Sequence, residues 1–239
     1  MIGQIVNCFK KQSIIKKSGK IVFQADVSAT DDISFRIDAR LMQVDWGDGE
    51  NSREAGVTQQ FSHRYKKSGI YQVVVKGMDV TAIDIPDCHL ISLDISGCET
   101  LEFIDCSFNS LVALGVRNCT HLYELRCAYN QLEQLLLSAY KDLFYLACSN
   151  NRLREINLSG CRYLVNLYCD RNRLQNLEVN CCPHLRTIFA EANAFSEPAL
   201  LQLVTSLKRK RVSCPGILKL SLPSRFNPDL LTSKGWYKI

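Results

Sequence analysis

Apolar residues recur along this chain with three different rhythms, and the strongest is a strict step of 21. Leu101, Leu122, Leu143, Leu164 and Leu185 keep that step, and so do Ile104, Leu125, Leu146, Leu167 and Ile188. Leu93, Leu114, Leu135, Ile156 and Leu177 form a third column. A polar column runs in the same register: Asn109, Asn130, Asn151, Asn172 and Asn193. Columns at a fixed period mean stacked turns, each laying one residue type on its neighbour. A single turn cannot bury its own apolar face, so only stacking with protected ends makes such an array stable. Stepping back from Leu101 reaches Val80, Ile83, Ile85 and Leu90, so the array starts near Val80 with a degenerate turn and covers residues 80–195.

The flanks follow other periods. "KIVFQADV", "ISFRIDARL" and "IYQVVVKGMDV" read as strands, the first with clear alternation of apolar and polar positions. "WGDG" at residues 46–49 is turn chemistry, because glycine tolerates the positive φ of a tight hairpin. Short strands between turns predict a small β-sandwich over residues 1–79. After the array, Ser196 is a candidate N-cap with Pro198 in the first turn. Leu200, Leu203, Val204 and Leu207 then make one helical face. "GILKLSL" reads as a strand. A short helix follows from Asn227–Pro228 to Gly235, and "WYKI" as a last strand. Residues 196–239 thus form a mixed α/β segment suited to capping the open apolar end.

Twelve cysteines are many for 239 residues, and ten of them fall between Cys88 and Cys182. Cys106, Cys127, Cys148 and Cys169 share the 21-residue step, with Ala190 closing the column. Cys98, Cys119, Cys161 and Cys182 form a second column, with Tyr140 in the missing slot. Turns stacked ~4.8 Å apart spread four cysteines over about 14 Å in a line. Tetrahedral zinc needs four sulfurs converging at ~2.3 Å. A disulfide needs sulfurs at ~2.05 Å, which parallel Cβ vectors disfavour. Both columns therefore read as small buried hydrophobes. Adjacent Cys181 and Cys182 split, with Cys182 inside and Cys181 outside.

The columns together read L-x-x-L-x-C-x-x-N-x-L-x-x-L-x-L-x-x-C. This unit resembles the bacterial leucine-rich repeat, specifically the 21-residue, cysteine-ladder type of internalin J-like proteins. The resemblance implies a right-handed solenoid with a parallel β-sheet on its concave side. It also implies asparagine side chains bonded to loop backbone, and protein or surface recognition as the role. "VDWGDGE" with "FSHRYKKSGIYQVVV" resembles the PKD domain, which shows W-x-F-G-D-G and then H-x-Y-x-x-x-G-x-Y-x-V. Trp46 stands in the Phe place and Val44 in the Trp place, while His63, Tyr65, Gly69, Tyr71 and Val73 fit the second half. Such domains serve as spacers or interaction modules. The fold class implied is mostly β: a PKD-like sandwich, a leucine-rich solenoid and a mixed cap.

The outward positions of the repeat carry the functional signal. On the strand side they include Phe103, Tyr145, Tyr168 and Phe189, with Arg126 among them. Just before the asparagine come Phe108, Tyr129, Asn150 and Arg171. Six aromatics and two arginines are the residue types enriched in interface hot spots. The opposite side offers Asp94, Gly115, Leu136, Asn157 and Glu178, then Ser96, Arg117, Ser138, Ser159 and Asn180, a small and polar set. The aromatics point to a protein partner, and stacked rings leave a glycan open. A competing reading has them pack on one another along the sheet.

Composition changes this picture little. The net charge of +5 permits an acidic partner without requiring one. The run Lys208, Arg209, Lys210 and Arg211 lacks interleaved aromatics and reads as a solvated helix end complementing the helix dipole, not as a nucleic-acid site. Asp45, Asp48 and Glu50 lack the EF-hand ligand spacing, and lone His63 reads as a packing residue. No nucleophile–base pair, phosphate loop or metal cluster stands out, so neither enzyme activity nor a cofactor is expected. No apolar run reaches membrane-span length. The N-terminus lacks the apolar core of a signal peptide, and Cys8 follows Asn7, which is poor for lipidation. As written the chain implies a cytoplasmic protein. A trimmed N-terminus would leave a secreted protein or surface adhesin open.

Overall fold

The computed structural model describes residues 17–27, 32–116, 118–211, 213–224 and 226–239; Cys8 and Arg117 lie outside these. Strands β1 (Ser18–Asp26), β2 (Asp32–Asp45), β3 (Asn51–Glu54), β4 (Thr58–Arg64), β5 (Ile70–Asp84) and β6 (Leu90–Asp94) come first. Then follow β7 (Phe103–Asp105), β8 (Glu124–Arg126), β9 (Tyr145–Ala147), β10 (Asn166–Tyr168) and β11 (Thr187–Phe189). The chain ends with α1 (Glu197–Ser206), β12 (Gly216–Lys219), α2 (Asp229–Thr232) and β13 (Trp236–Lys238). All thirteen strands belong to one hydrogen-bonded sheet. From β7 to β13 neighbours pair in parallel, each short strand directly beside the last.

The N-terminal strands are joined to this array through β5. Residues 70–78 pair antiparallel with β1, and residues 82–84 pair in parallel with β7. β5 thus runs across residue 79, where the sequence pattern changes. It bends there, with Asp79 at φ 53°, and β2 bends at Leu41 with φ 49°. At the second of these points the register between β2 and β5 shifts, between Arg40 and Gln43. Phe23, Phe35, Trp46 and Phe61 pack together in the buried core of these strands, with Phe35 5.5 Å from each of the other three rings. The glycines of the "WGDG" turn, Gly47 and Gly49, do take positive φ.

Inside the solenoid, every second strand residue points inward. Ile104, Leu125, Leu146, Leu167 and Ile188 are fully buried, as are Cys106, Cys127, Cys148 and Cys169. The second cysteine column points its thiols at backbone. Cys119, Cys161 and Cys182 each lie beside the carbonyl 24 residues earlier, at 3.5 to 3.8 Å. Tyr140, in the vacant slot, donates its hydroxyl to Val116, the equivalent carbonyl. The substitution of a ring for a thiol thus keeps the same bond. Cys181 is exposed and Cys182 buried. Burial pushes the Cys119, Cys161 and Cys182 thiols up to about 12, and Cys88 and Cys98 up to about 11.

The asparagine column closes each turn. Asn130 donates to Cys106 O and Cys127 O and accepts from Leu111 N–H at 2.9 Å. Asn151 donates to Cys127 O and Cys148 O and accepts from Leu132 N–H. Each cysteine carbonyl between neighbours is therefore shared by two asparagines. The residue before each asparagine has positive φ: Phe108, Tyr129, Asn150, Arg171 and Ala192 lie between 52° and 58°. This non-glycine conformation costs energy, and the buried amide bonds hold it in place.

The C-terminal segment follows the predicted order. Ser196 caps α1 at Ala199 N–H, and Leu200, Leu203, Val204 and Leu207 are buried. α1 ends at Ser206 with no basic residue in its last turn. The cations at 208–211 lie beyond the helix, so the dipole-complementing role expected of them does not hold. Asn227 Oδ1 accepts Asp229 N–H at the start of α2, and Gly235 takes φ 73° just before β13.

Candidate functional site

The outward face of the sheet is built by register. β5, β7, β8, β9, β10 and β11 align Ala82, Phe103, Glu124, Tyr145, Asn166 and Thr187 in one row. The second row reads Asp84, Asp105, Arg126, Ala147, Tyr168 and Phe189. Between the rows, the inward column is buried, so both rows face out. The sheet pairing extends them beyond the repeats. β2 adds Arg36 and Asp38 beside Asp84 and Ala82, and β12 adds Ile217 and Lys219 beside Thr187 and Phe189. The repeat period could not reveal these residues, because β2 and β12 lie outside it. The alternation in "FRIDA" was the available signal: Phe35, Ile37 and Ala39 are buried and Arg36 and Asp38 lie between them.

The centre of the face is an interlocked set of rings and charges. The Arg126 guanidinium sits 5.9 Å from the Phe103 centroid and 5.2 Å from that of Tyr145. Its Nε donates to Glu124 at 2.6 Å, which fixes the fork between the two rings. Each cation–π contact of this kind is worth about 0.5–2 kcal/mol. Tyr145 lies 5.4 Å from Tyr168, and Tyr168 meets Phe189 edge to face at 5.0 Å. Lys219 lies 5.6 Å from the Phe189 centroid and 3.4 Å from Glu191. Burial pushes the Tyr145 hydroxyl above its ordinary range, with Tyr168 adding to the effect. Towards the N-terminus the face turns polar. Arg36 pairs with Asp84 at 2.9 Å, and burial raises the Asp84 carboxyl against the pull of Arg36. Asp38 Oδ1 is buried without a hydrogen-bond partner among the described residues.

The eight residues singled out by sequence divide into three groups. Arg126, Tyr145, Tyr168 and Phe189 share the centre of the face and stay partly exposed. Phe103 was expected to face a partner, but it is 8% exposed, covered by Arg126 and beside Ala82 of the N-terminal strand. Its role is support. Phe108, Tyr129 and Arg171 sit on the rim, in the positive-φ column where the chain leaves the sheet, and all three are exposed. Phe108 and Tyr129 stack at 4.5 Å and 12°. Sequence spacing missed a further ring stack, Tyr123 on Phe144 at 5.0 Å, which lies where the chain enters the strands. On the opposite side Asp94, Gly115, Leu136, Asn157 and Glu178 are exposed as expected, and Ser138, Ser159 and Asn180 with them.

The fold of the array is shared with known structures. The functional domain of InlJ from Listeria monocytogenes, described as including a cysteine ladder, aligns over 65% of this chain and 38% of its own, at 22% identity and a TM-score of 0.52. The array has the leucine-rich repeat fold. A leucine-rich repeat protein from Leptospira interrogans aligns over 53% of this chain and 35% of its own, at 19% identity and a TM-score of 0.51. The internalin InlF from Listeria monocytogenes aligns over 60% and 42%, at 19% identity and a TM-score of 0.50. The chain thus spans less than half the length of each. No protein-family model matches the chain, and no curated protein matches it by sequence.

Proposed function

We propose that the outward face of the parallel sheet is a protein-binding surface and that the chain acts by recognition, not catalysis. One observation carries this reading. Half-exposed rings and a clamped arginine occupy one side of the solenoid, while the opposite outward positions carry no aromatic ring and, apart from exposed Leu136, are small or polar. Solubility alone gives no reason for that asymmetry. Rings already packed on each other lose little rotamer freedom on binding, which lowers the cost of association. The internalin-like fold supports the same reading. We read the N-terminal strands as PKD-like, because the motif residues Trp46, His63, Tyr65 and Tyr71 contact one another in sequence at 4.1 to 4.7 Å, Trp46 on His63 and Tyr65 on Tyr71 stacked and His63 on Tyr65 edge to face. We read residues 196–239 as the cap, since Leu203, Leu218, Leu231 and Trp236 are buried at that end.

The test is a paired capture from native extract with the wild type and Arg126→Ala/Tyr145→Ala/Tyr168→Ala. The variant leaves the asparagine and cysteine columns intact and should stay folded by circular dichroism. A protein retained by the wild type and lost by the variant is the expected result. Equal recovery would mean that the rings only pack. A glycan-binding adhesin is the second reading, favoured by the exposed Phe108–Tyr129 stack, whose flat faces suit sugar rings. It requires export, so recovery of the native protein only from the cytoplasm would exclude it.

A further inference from the structure

Three residues of the basic run, Arg209, Lys210 and Arg211, line a groove. The groove lies on the side where the chain enters the strands, away from the outward rows, and holds about 550 Å³. Its lining includes Arg186, Arg209, Lys210 and Arg211, with no carboxylate. Four cations are gathered here in a chain whose whole net charge is +5. No ion pair among the described residues involves any of them. Like charges placed together without a counter-ion repel, and a bound anion relieves that cost.

Two of the cations are held, not free to swing away. Lys210 Nζ donates to Pro183 O at 3.1 Å and lies 5.5 Å from the Trp236 ring centroid. The Arg186 guanidinium bonds Cys214 Sγ. Burial, then the nearby Arg186, push the Lys210 ammonium below its usual range. Arg209 and Arg211 are exposed at the mouth. The other wall is aromatic. Phe144 lies on Tyr123, and Tyr163, 58% exposed, lies on His184 at 5.9 Å and 15°. The repeats thus supply the rings that the linear basic run lacks. A smaller cavity of about 330 Å³ shares Tyr163 and His184 with it and adds Arg162.

We propose that this groove binds a phosphate ester carried on a planar ring, the phosphate held by Arg186 and Lys210 with Arg209 and Arg211 at the mouth, and the ring against Phe144 and Tyr163. Guanidinium and ammonium groups make strong charge-assisted bonds to phosphate oxygens. A groove of this size falls within the ordinary range for small ligands of roughly 300–1,000 Å³. The ring wall selects against bare phosphate.

The test is calorimetric titration of the full chain with phenyl phosphate, inorganic phosphate and benzyl alcohol. Phenyl phosphate should bind tightest. Arg209→Gln/Arg211→Gln should weaken it roughly tenfold, about 1.4 kcal/mol, without loss of fold, since both side chains are exposed. Arg186→Gln/Lys210→Gln should abolish binding, and Tyr163→Ser should remove the advantage over inorganic phosphate. Titration with phosphotyrosine amide and with adenosine monophosphate then distinguishes a modified protein side chain from a nucleotide as the source. Absence of saturable phenyl phosphate binding, equal binding by the Arg209/Arg211 variant, or equal affinity for phenyl phosphate and inorganic phosphate would each overturn the proposal.

Discussion

Raising the pH should unfold this protein far earlier than its charge balance suggests. Nine described cysteines are buried free thiols. Burial holds five of them at about 11 or about 12 and lifts Cys106, Cys127, Cys148 and Cys169 further still. In the unfolded chain each returns to ~8.5. The folded state therefore keeps protons that the unfolded state releases, and stability falls as pH rises from ~8.5 towards the folded values. At about pH 9 each thiol costs about 0.8 kcal/mol, so nine cost about 7 kcal/mol. That matches the whole stability of many domains, about 5–15 kcal/mol. The assay is urea denaturation followed by circular dichroism in reducing buffer, in steps from about pH 7.5 to about 9.5. Cys127→Ala should lower the slope above ~pH 9 by about 1.4 kcal/mol per pH unit. An unfolding free energy that stays flat across the range would refute the buried ladder.

Three other outcomes test the same architecture. Asn130→Ala and Asn151→Ala should each cost about 3 kcal/mol, since each orphans a buried N–H, that of Leu111 or Leu132. Together they should cost about 1–3 kcal/mol more than their sum, because Cys127 O loses both side-chain donors, whereas Asn109→Ala/Asn172→Ala should add simply. Gly160→Ala should lower the melting temperature through a clash costing about 1–3 kcal/mol, because a Cβ there would lie 2.0 Å from Ser138 O. Thiol labelling of the folded protein, read by mass spectrometry, should reach Cys181 quickly and Cys214 slowly among the described cysteines; fast labelling of all would contradict the inward columns.

The repeats were legible because stacking imposes one residue type per column. The period alone placed Leu125 and Cys127 at buried positions, and both are buried. It also placed Arg126 and Tyr145 outside. It failed where an element beyond the period supplies the neighbour. Phe103 occupies an outward slot, but that slot in the first full repeat borders β5 and lies under Arg126, so the ring is covered. The long strand β5 was invisible as a joint, since its bend at Asp79 rests on a positive φ that no glycine announces. The basic groove was hidden for another reason. Three of its four cations are consecutive in sequence, while Arg186 and the rings Phe144 and Tyr163 come from separate stretches of the repeats, and only the return of the chain after α1 brings them together.

Column position decides what a side chain does in this fold more than its chemical type. Tyr140 and Tyr145 lie five residues apart, and both are aromatic with a hydroxyl. Tyr140 stands in a thiol column, is 1% exposed and serves the carbonyl that a cysteine serves in neighbouring turns. Tyr145 stands in an outward column between Glu124 and Asn166, against an arginine. Truncating Tyr140 to Phe removes one backbone bond and should cost about 1 kcal/mol of stability. Truncating Tyr145 to Phe leaves the stack with Tyr168 and should leave stability unchanged. If the outward face binds a partner, its effect appears in affinity alone. Columns whose members repeat hold the solenoid together. Columns whose members vary, such as Glu124, Tyr145, Asn166 and Thr187, are free of that duty, and selectivity for a partner has room to reside there.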